Sequence, residues 1–259
     1  MIRLMSGAAL AAIVLALVWW LPSAALLPVV LGVAALAFAE YARIADRIGA
    51  RVPWWPTLAA TLGVCAMVPF PWVAVESVLA AALVVTACAV LLSQRAGTSL
   101  LTDSAAAMLA PVYLGLPLGS LVGVHAMSGR VAVILLIATV AVSDSAQYYT
   151  GRLIGRTPLA PRHSPKKTRE GAFGGFVAAP VFLVLAGRVW MPDRPAALLI
   201  LLGVGLVAAG IVGDLFESML KRAAEVKDSG AIIPGHGGVL DRIDALLFAA
   251  PVFYFFLRL

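Results

Sequence analysis

Charge is the first thing this chain lacks. Only 12% of its 259 residues are Asp, Glu, Lys or Arg, too little polar chemistry to coat the one or two soluble domains that such a length would otherwise suggest. Cysteine is scarce too. Cys65 and Cys88 stand alone, without a C-x-x-C or a His/Cys cluster, which excludes a zinc site and a disulfide framework. Both fall in apolar runs and read as small fillers. No repeat period stands out, and no segment is low in complexity beyond an Ala/Leu/Val bias.

What the chain has is hydrocarbon. Residues are 62% hydrophobic, mean hydropathy is +1.01, and apolar runs of spanning length recur from end to end. The expected fold is all-α: a polytopic integral membrane protein of about nine transmembrane helices. They centre on residues 4–21, 24–40, 56–70, 73–92, 104–119, 129–149, 172–189, 196–220 and 240–257. Pro69, Pro71, Pro111 and Pro117 predict kinks, since neighbouring helices satisfy the carbonyls that proline frees. Arg3 precedes the first run as in a signal peptide. The run continues to Trp19-Trp20-Leu21 without a small-residue cleavage site, so it reads as a retained span.

Basic residues give an orientation. With the N-terminus in the cytoplasm and the C-terminus outside, the cytoplasmic loops collect Arg43, Arg47, Arg51, Arg95, Arg152, Arg156, Arg162, Lys166, Lys167, Arg169, Lys221, Arg222, Lys227 and Arg242. The other side receives Arg130, Arg188, Arg194 and Arg258. The net charge of +6 therefore reads as topology and attraction to anionic headgroups, with no nucleic acid as partner. Trp19, Trp20, Trp54, Trp55 and Trp72 read as an interfacial aromatic belt and not as a stacking platform for a base. Glu40 and Glu76 sit near span ends, where a carboxylate reaches the interface, and receive no role.

Against this background one polar stretch stands out, from Asp214 to Asp244. Ionisable groups between two apolar runs are expensive and mark a functional site by default. On a helix running to about residue 226, Asp214, Ser218, Lys221 and Arg222 share one face. Lys227-Asp228 follow, then the loop Pro234-Gly235-His236-Gly237-Gly238, whose glycines permit positive φ or close approach to a ligand. Asp241, Arg242 and Asp244 open the last helix, where anions are favoured. Carboxylates for a hard metal, cations for phosphates and a glycine loop point to phosphoryl or nucleotidyl transfer. Residue by residue, alternatives stand beside these roles. As purely structural groups, Asp214 is an ion-pair partner of Lys221 or Arg222 and Asp241 is a helix N-cap. Asp228 and Asp244 either act directly or orient a neighbouring cation. His236 reads better as a phosphate donor or turn element than as an acid or base.

The pattern Ser218-x-Leu220-Lys221-Arg222, Lys227-Asp228, Pro234-x-His236-Gly237-Gly238-Val239-x-Asp241-Arg242-Ile243-Asp244 resembles, without departure, the signature of phosphatidate cytidylyltransferases, the CDP-diacylglycerol synthases. A second polar segment resembles the same family: Asp144-Ser145-Ala146-Gln147-Tyr148-Tyr149-Thr150-Gly151, then Ser164-Pro165-Lys166-Lys167-Thr168-Arg169-Glu170-Gly171 with Gly174-Gly175. Gln147 stands where the family has Ala. Together the resemblance covers roughly residues 110–259, while the first hundred match in hydropathy alone. It divides the chain into a scaffold, residues 1–100, and a catalytic region, residues 101–259, with a cytoplasmic-side site.

The resemblance implies transfer of CMP from CTP to phosphatidic acid, giving CDP-diacylglycerol and pyrophosphate, in the cell (inner) membrane. It implies Mg2+ as cofactor, held by Asp214 and Asp241. Lys221, Arg222, Lys227, Asp228, His236, Arg242 and Asp244 become the catalytic candidates. Asp144, Tyr148, Ser164, Lys167, Thr168, Ser218, Gly237 and Gly238 become the substrate-binding ones. A homodimer is admissible and not required by the sequence. Two other readings remain: a cytidylyltransferase for an isoprenoid lipid phosphate, and a lipid transporter. Against the transporter, no inverted repeat is visible and the polar groups gather on one side of the membrane.

Overall fold

The computed structural model of the chain describes residues 2–70, 72–93, 99–233, 235 and 237–259; Pro71 and Arg95 lie outside them. Helices α1 (Ile2–Trp20), α2 (Ser23–Arg47), α3 (Trp54–Met67) and α4 (Val75–Leu92) form the N-terminal half. A helical run follows, made of α5 (Leu100–Ala110), a π-helical turn (Pro111–Gly115) and α6 (Leu116–Ile154). After α6 come strands β1 (Pro158–Ala160) and β2 (Ser164–Thr168), then α7 (Arg169–Trp190), α8 (Ala196–Ala223) and α9 (Leu240–Leu257).

Among the described residues five helices are long and apolar enough to cross a membrane: α2, α4, the run Leu100–Ile154, α7 and α8. The run is broken by Gly129, whose φ of 76° and ψ of −176° no helix can hold. The expected kink at Pro111 is the π-helical turn, where proline removes a helix hydrogen bond. With 14 residues, α3 is about 21 Å long, short of the ~30 Å hydrocarbon core. Large apolar side chains such as Leu83, Leu91, Leu153, Leu185 and Leu201 are exposed. In water such a surface would aggregate, whereas in a bilayer it is the lipid-facing side. The protein is an all-α, multi-pass membrane protein, to which the structure adds one feature not anticipated from the sequence. The segment carrying Lys167 is a two-stranded antiparallel hairpin, pairing Pro158 with Thr168 and Ala160 with Ser164.

Two cores hold the bundle. One joins Leu136 of α6, Leu183 of α7, Leu206 of α8 and Phe253 of α9. The other joins Phe38 and Tyr41 of α2, Tyr113 and Leu114 of the π-helical turn, and Leu240 and Leu247 of α9. Small residues permit close packing, as membrane helices require: a Cβ on Gly119 would meet the backbone of Cys65 on α3. Cys65 is buried in this contact and acts as a filler. The second core sets the site, because it fixes α2 against the start of α9.

Candidate functional site

The lower end of α8 presents Asp214, Glu217, Ser218 and Lys221 on successive turns. Lys221 Nζ donates to Glu217 Oε2 at 2.6 Å and to Asp241 Oδ1 at 2.5 Å. Asp241 Oδ2 accepts from the Ser229 amide (2.8 Å), the Ser229 hydroxyl (2.9 Å) and the Gly238 amide (2.8 Å). Its side chain is only 5% exposed. Such a carboxylate is tolerable inside because both oxygens are satisfied, one by a charge and the other by backbone and hydroxyl donors.

Asp214 is engaged elsewhere. Its Oδ2 takes Lys167 Nζ at 2.5 Å, and its Oδ1 accepts from Ser218 Oγ at 3.3 Å. The expected alternative, a pair with Lys221 or Arg222, is thus replaced by a cation from the other polar segment. Arg222 instead donates to the Val226 carbonyl at 3.2 Å and closes the end of α8. Asp144 interacts electrostatically with Lys167 and Asp214, and Asp244 with Asp214, Lys221 and Asp144. Folding therefore brings the two matched motifs together, through Lys167 on Asp214 and through this set of carboxylates.

The hairpin explains why Lys167 is in place. Thr168 Oγ1 accepts from the Gly171 amide at 3.1 Å and caps α7, so the hydroxyl expected to bind substrate also has a structural duty. Glu170 accepts from the Arg156 and Thr157 amides at 3.2 Å, tying the strand exit to the segment after α6. Gln147, the departure from the family pattern, donates to Ser143 Oγ at 2.9 Å and Asp144 Oδ1 at 3.4 Å. Tyr148 is exposed and receives Arg152 Nη1 at 3.4 Å. Ser164 sits at the start of β2. Lys227 and Asp228 are exposed beyond α8. Arg242 and Asp244 lie in the first two turns of α9, where Asp244 Oδ1 accepts from the Ala245 amide. His236 and Pro234 lie outside the described residues.

Glu40 corrects the reading that gave it no role. Helix α2 continues to Arg47, so Glu40 lies two turns inside it and is fully buried. Its Oε1 accepts from the Val239 amide at 2.9 Å, and its Oε2 accepts from the Leu240 amide and the Ser229 hydroxyl at 2.8 Å. The start of α9 is therefore capped by a side chain from α2, while Asp241 holds the loop before it. Ser229 Oγ lies between two carboxylates, so its single proton serves either Glu40 or Asp241. A Cβ on Gly238 would collide with both Ser229 Oγ and Glu40 Oε2, and Gly237 has φ of 80°. The paired glycines are required by this closure. An apolar run enclosing Glu40 was the available signal, and for Glu217 it was the i,i+4 spacing to Lys221. Ser229 carried no signal.

The oxygen-only donors suit a hard divalent cation such as Mg2+. Asp214 and Asp241 each already hold a positive group at 2.5 Å, and Glu217 Oε1 is buried with no hydrogen-bond partner among the described residues. Among those residues no three His, Cys, Asp or Glu side chains form a preassembled metal-binding group. The donor chemistry fits a cation whose remaining ligands come from substrate phosphates, as is usual for Mg2+.

Comparison with known proteins supplies a frame. The model of the cytidylyltransferase family matches residues 1–259, including the N-terminal hundred that motif resemblance left to hydropathy. The chain is 47% identical over 118 residues to the phosphatidate cytidylyltransferase of Haemophilus influenzae, covering 44% of this chain and 41% of that protein. It is 40% identical over 156 residues to that of Thermotoga maritima, covering 58% and 57%. It is 39% identical over 153 residues to that of Bacillus subtilis, again covering 58% and 57%. Aligned segments thus span about half the length of these curated relatives.

Proposed function

Because the chain belongs to the cytidylyltransferase family, we propose that it transfers CMP from CTP to phosphatidic acid, releasing pyrophosphate. One observation carries this reading: the two polar segments meet, with Lys167 on Asp214 beside Lys221 on Asp241. An oxygen of the lipid phosphate attacks the α-phosphorus of CTP in line. The new P–O bond forms as the bond to the β-phosphate oxygen breaks, and pyrophosphate leaves with that electron pair. The nucleophile is already an anion, so positioning and charge neutralisation supply the catalysis.

Lys167, Lys221 and Lys227 neutralise phosphate oxygens, with Arg222 and Arg242 at the margins. Ser164, Thr168, Ser218, Tyr148 and the amides at Gly237 and Gly238 offer donors to the substrates. Asp228, Asp244 and Asp144 orient the cations. Asp214 and Asp241 would hold Mg2+, which when bound would supply positive charge to neutralise the phosphates. In detergent or vesicles, label from α-phosphate-labelled CTP is expected to enter phosphatidic acid and to stop when EDTA removes the divalent cation. An isoprenoid lipid phosphate serves as the parallel acceptor. Labelling of that acceptor alone would reassign the substrate, and labelling of neither would end the transferase reading.

The same reading gives about nine crossings, a cytoplasmic N-terminus, an outer C-terminus and a site on the cytoplasmic face of the cell membrane, supported by the one-sided distribution of Arg and Lys. In a background lacking Cys65 and Cys88, Lys227→Cys is expected to react with an impermeant thiol reagent only in inside-out vesicles, and Arg194→Cys only in intact cells. The opposite pattern would invert the protein.

A further inference from the structure

The first hundred residues do more than support the bundle. The end of α2, the connection to α3 and the segment 226–231 border an open cleft of about 780 Å³, within the size range of small-molecule sites. Arg43, Arg47 and Arg51 line it against Asp46 and Asp228, with Trp54 and the buried Ser229 completing the walls.

The bland explanation is interfacial anchoring, aided for Arg47 by the negative end of the α2 dipole. That explanation accounts for arginines near a helix end. It does not account for three guanidinium-bearing residues from two successive segments lining one cleft. All three are arginine, whose planar fork matches phosphate oxygens in pairs. Arg43 Nε donates to the Ala39 carbonyl, and no ion pair among the described residues engages any of the three. Trp54 is held edge-on by Phe38, at 5.4 Å and 72°, and by Trp55, at 4.7 Å and 76°. It remains 40% exposed. A partly exposed indole fixed in this way offers a stacking surface that the belt reading did not anticipate.

The cleft also adjoins the candidate site. Ser229 lines it and binds Asp241 through both amide and hydroxyl. The proposed reaction joins two anionic substrates, and each needs its own cations. Lys167 comes from the hairpin beside α6 and α7, whereas these arginines come from α2 and the α2–α3 connection.

We propose that this cleft is the nucleotide subsite, taking the polyphosphate of a nucleoside triphosphate on Arg43, Arg47 and Arg51 and its base against Trp54. The assignment rests on the cytidylyltransferase reading. Its test is the double variant Arg47→Gln/Arg51→Gln in the full chain, reconstituted in vesicles. Both positions are exposed, and an unchanged Tm verifies folding.

The expected result is that KM and Kd for CTP rise at least about tenfold, the effect of losing one good charged contact. KM for phosphatidic acid stays unchanged, and kcat stays within about threefold. Trp54→Leu is expected to weaken CTP binding while sparing inorganic pyrophosphate. A rise in KM for phosphatidic acid alone would place the lipid headgroup in the cleft and overturn the proposal. Unchanged constants for both substrates would leave the arginines as anchors and overturn it too. If wild type binds CTP through Arg47 and Arg51 but transfers no label, the reaction falls and the subsite stands. If transfer proceeds with the same KM for CTP in the variant, the subsite falls and the reaction stands.

Discussion

Asp214→Asn and Asp241→Asn are each expected to lower CMP transfer at least about 100-fold, the scale of losing one preorganised electrostatic contact in a transition state. Only the second is expected to lower the thermal stability of the protein. The difference follows from their surroundings. Asp214 is 33% exposed and pairs with Lys167, itself 23% exposed. An ion pair in such a setting contributes about 1 kcal/mol or less, so Asn there removes charge from the site and leaves the fold intact.

Asp241 has no such freedom. Lys221 occupies one oxygen, and three donors from Ser229 and Gly238 occupy the other. Asparagine keeps one acceptor and turns an NH2 group toward either the ammonium or those donors. Lys221 keeps Glu217 as its counter-ion, so the cost is that of buried groups left without a matching partner, about 1–3 kcal/mol. Transfer assays and thermal unfolding in detergent, run on the same preparations, separate the two cases. Activity retained in both variants would remove these carboxylates from the chemistry. A wild-type Tm for Asp241→Asn would show that the loop is held by something else.

The second large effect is expected at a residue that touches no substrate in the proposed mechanism. Glu40→Leu removes the acceptor for the Val239 and Leu240 amides and for the Ser229 hydroxyl. The Ser229 hydroxyl turns to Asp241, but the two amides lose their acceptor; each buried donor left unsatisfied costs about 1–3 kcal/mol, so a loss of at least about 2 kcal/mol is expected. With it goes most of the transfer activity, because Asp241 follows the capped turn directly. Glu40→Gln keeps one acceptor and is expected to fall between Leu and wild type.

Glu40 is a positioning residue, and two readouts distinguish that role from general scaffolding. The Gln variant should lose kcat while its KM for CTP stays near the wild-type value. Hydrogen exchange should accelerate at the Val239 and Leu240 amides before it does so in α6 or α7. Uniform acceleration throughout the bundle would mean that Glu40 supports the fold and nothing more specific.

How much of this was legible in the sequence depends on the range of the physics involved. Hydropathy and proline placement are local, so they sufficed for the membrane class, the helical runs and the disturbance at Pro111. The polar stretch from Asp214 to Asp244 is local as well, and it marked Asp214, Lys221 and Asp241 before any packing was considered. The hairpin from Pro158 to Thr168 escaped because three- and five-residue strands carry too little alternation to register.

Partner choice belonged to the tertiary structure alone. Lys167 reaches Asp214, Lys221 turns to Asp241, and Glu40 caps a helix 199 residues away. Membrane helices are apolar nearly all round, so no amphipathic stripe indicates which face meets which neighbour. Once α2 packs against α9, however, each buried carboxylate must find a donor. That requirement joins Glu40, in a region the sequence marked only as scaffold, to the loop that holds Asp241.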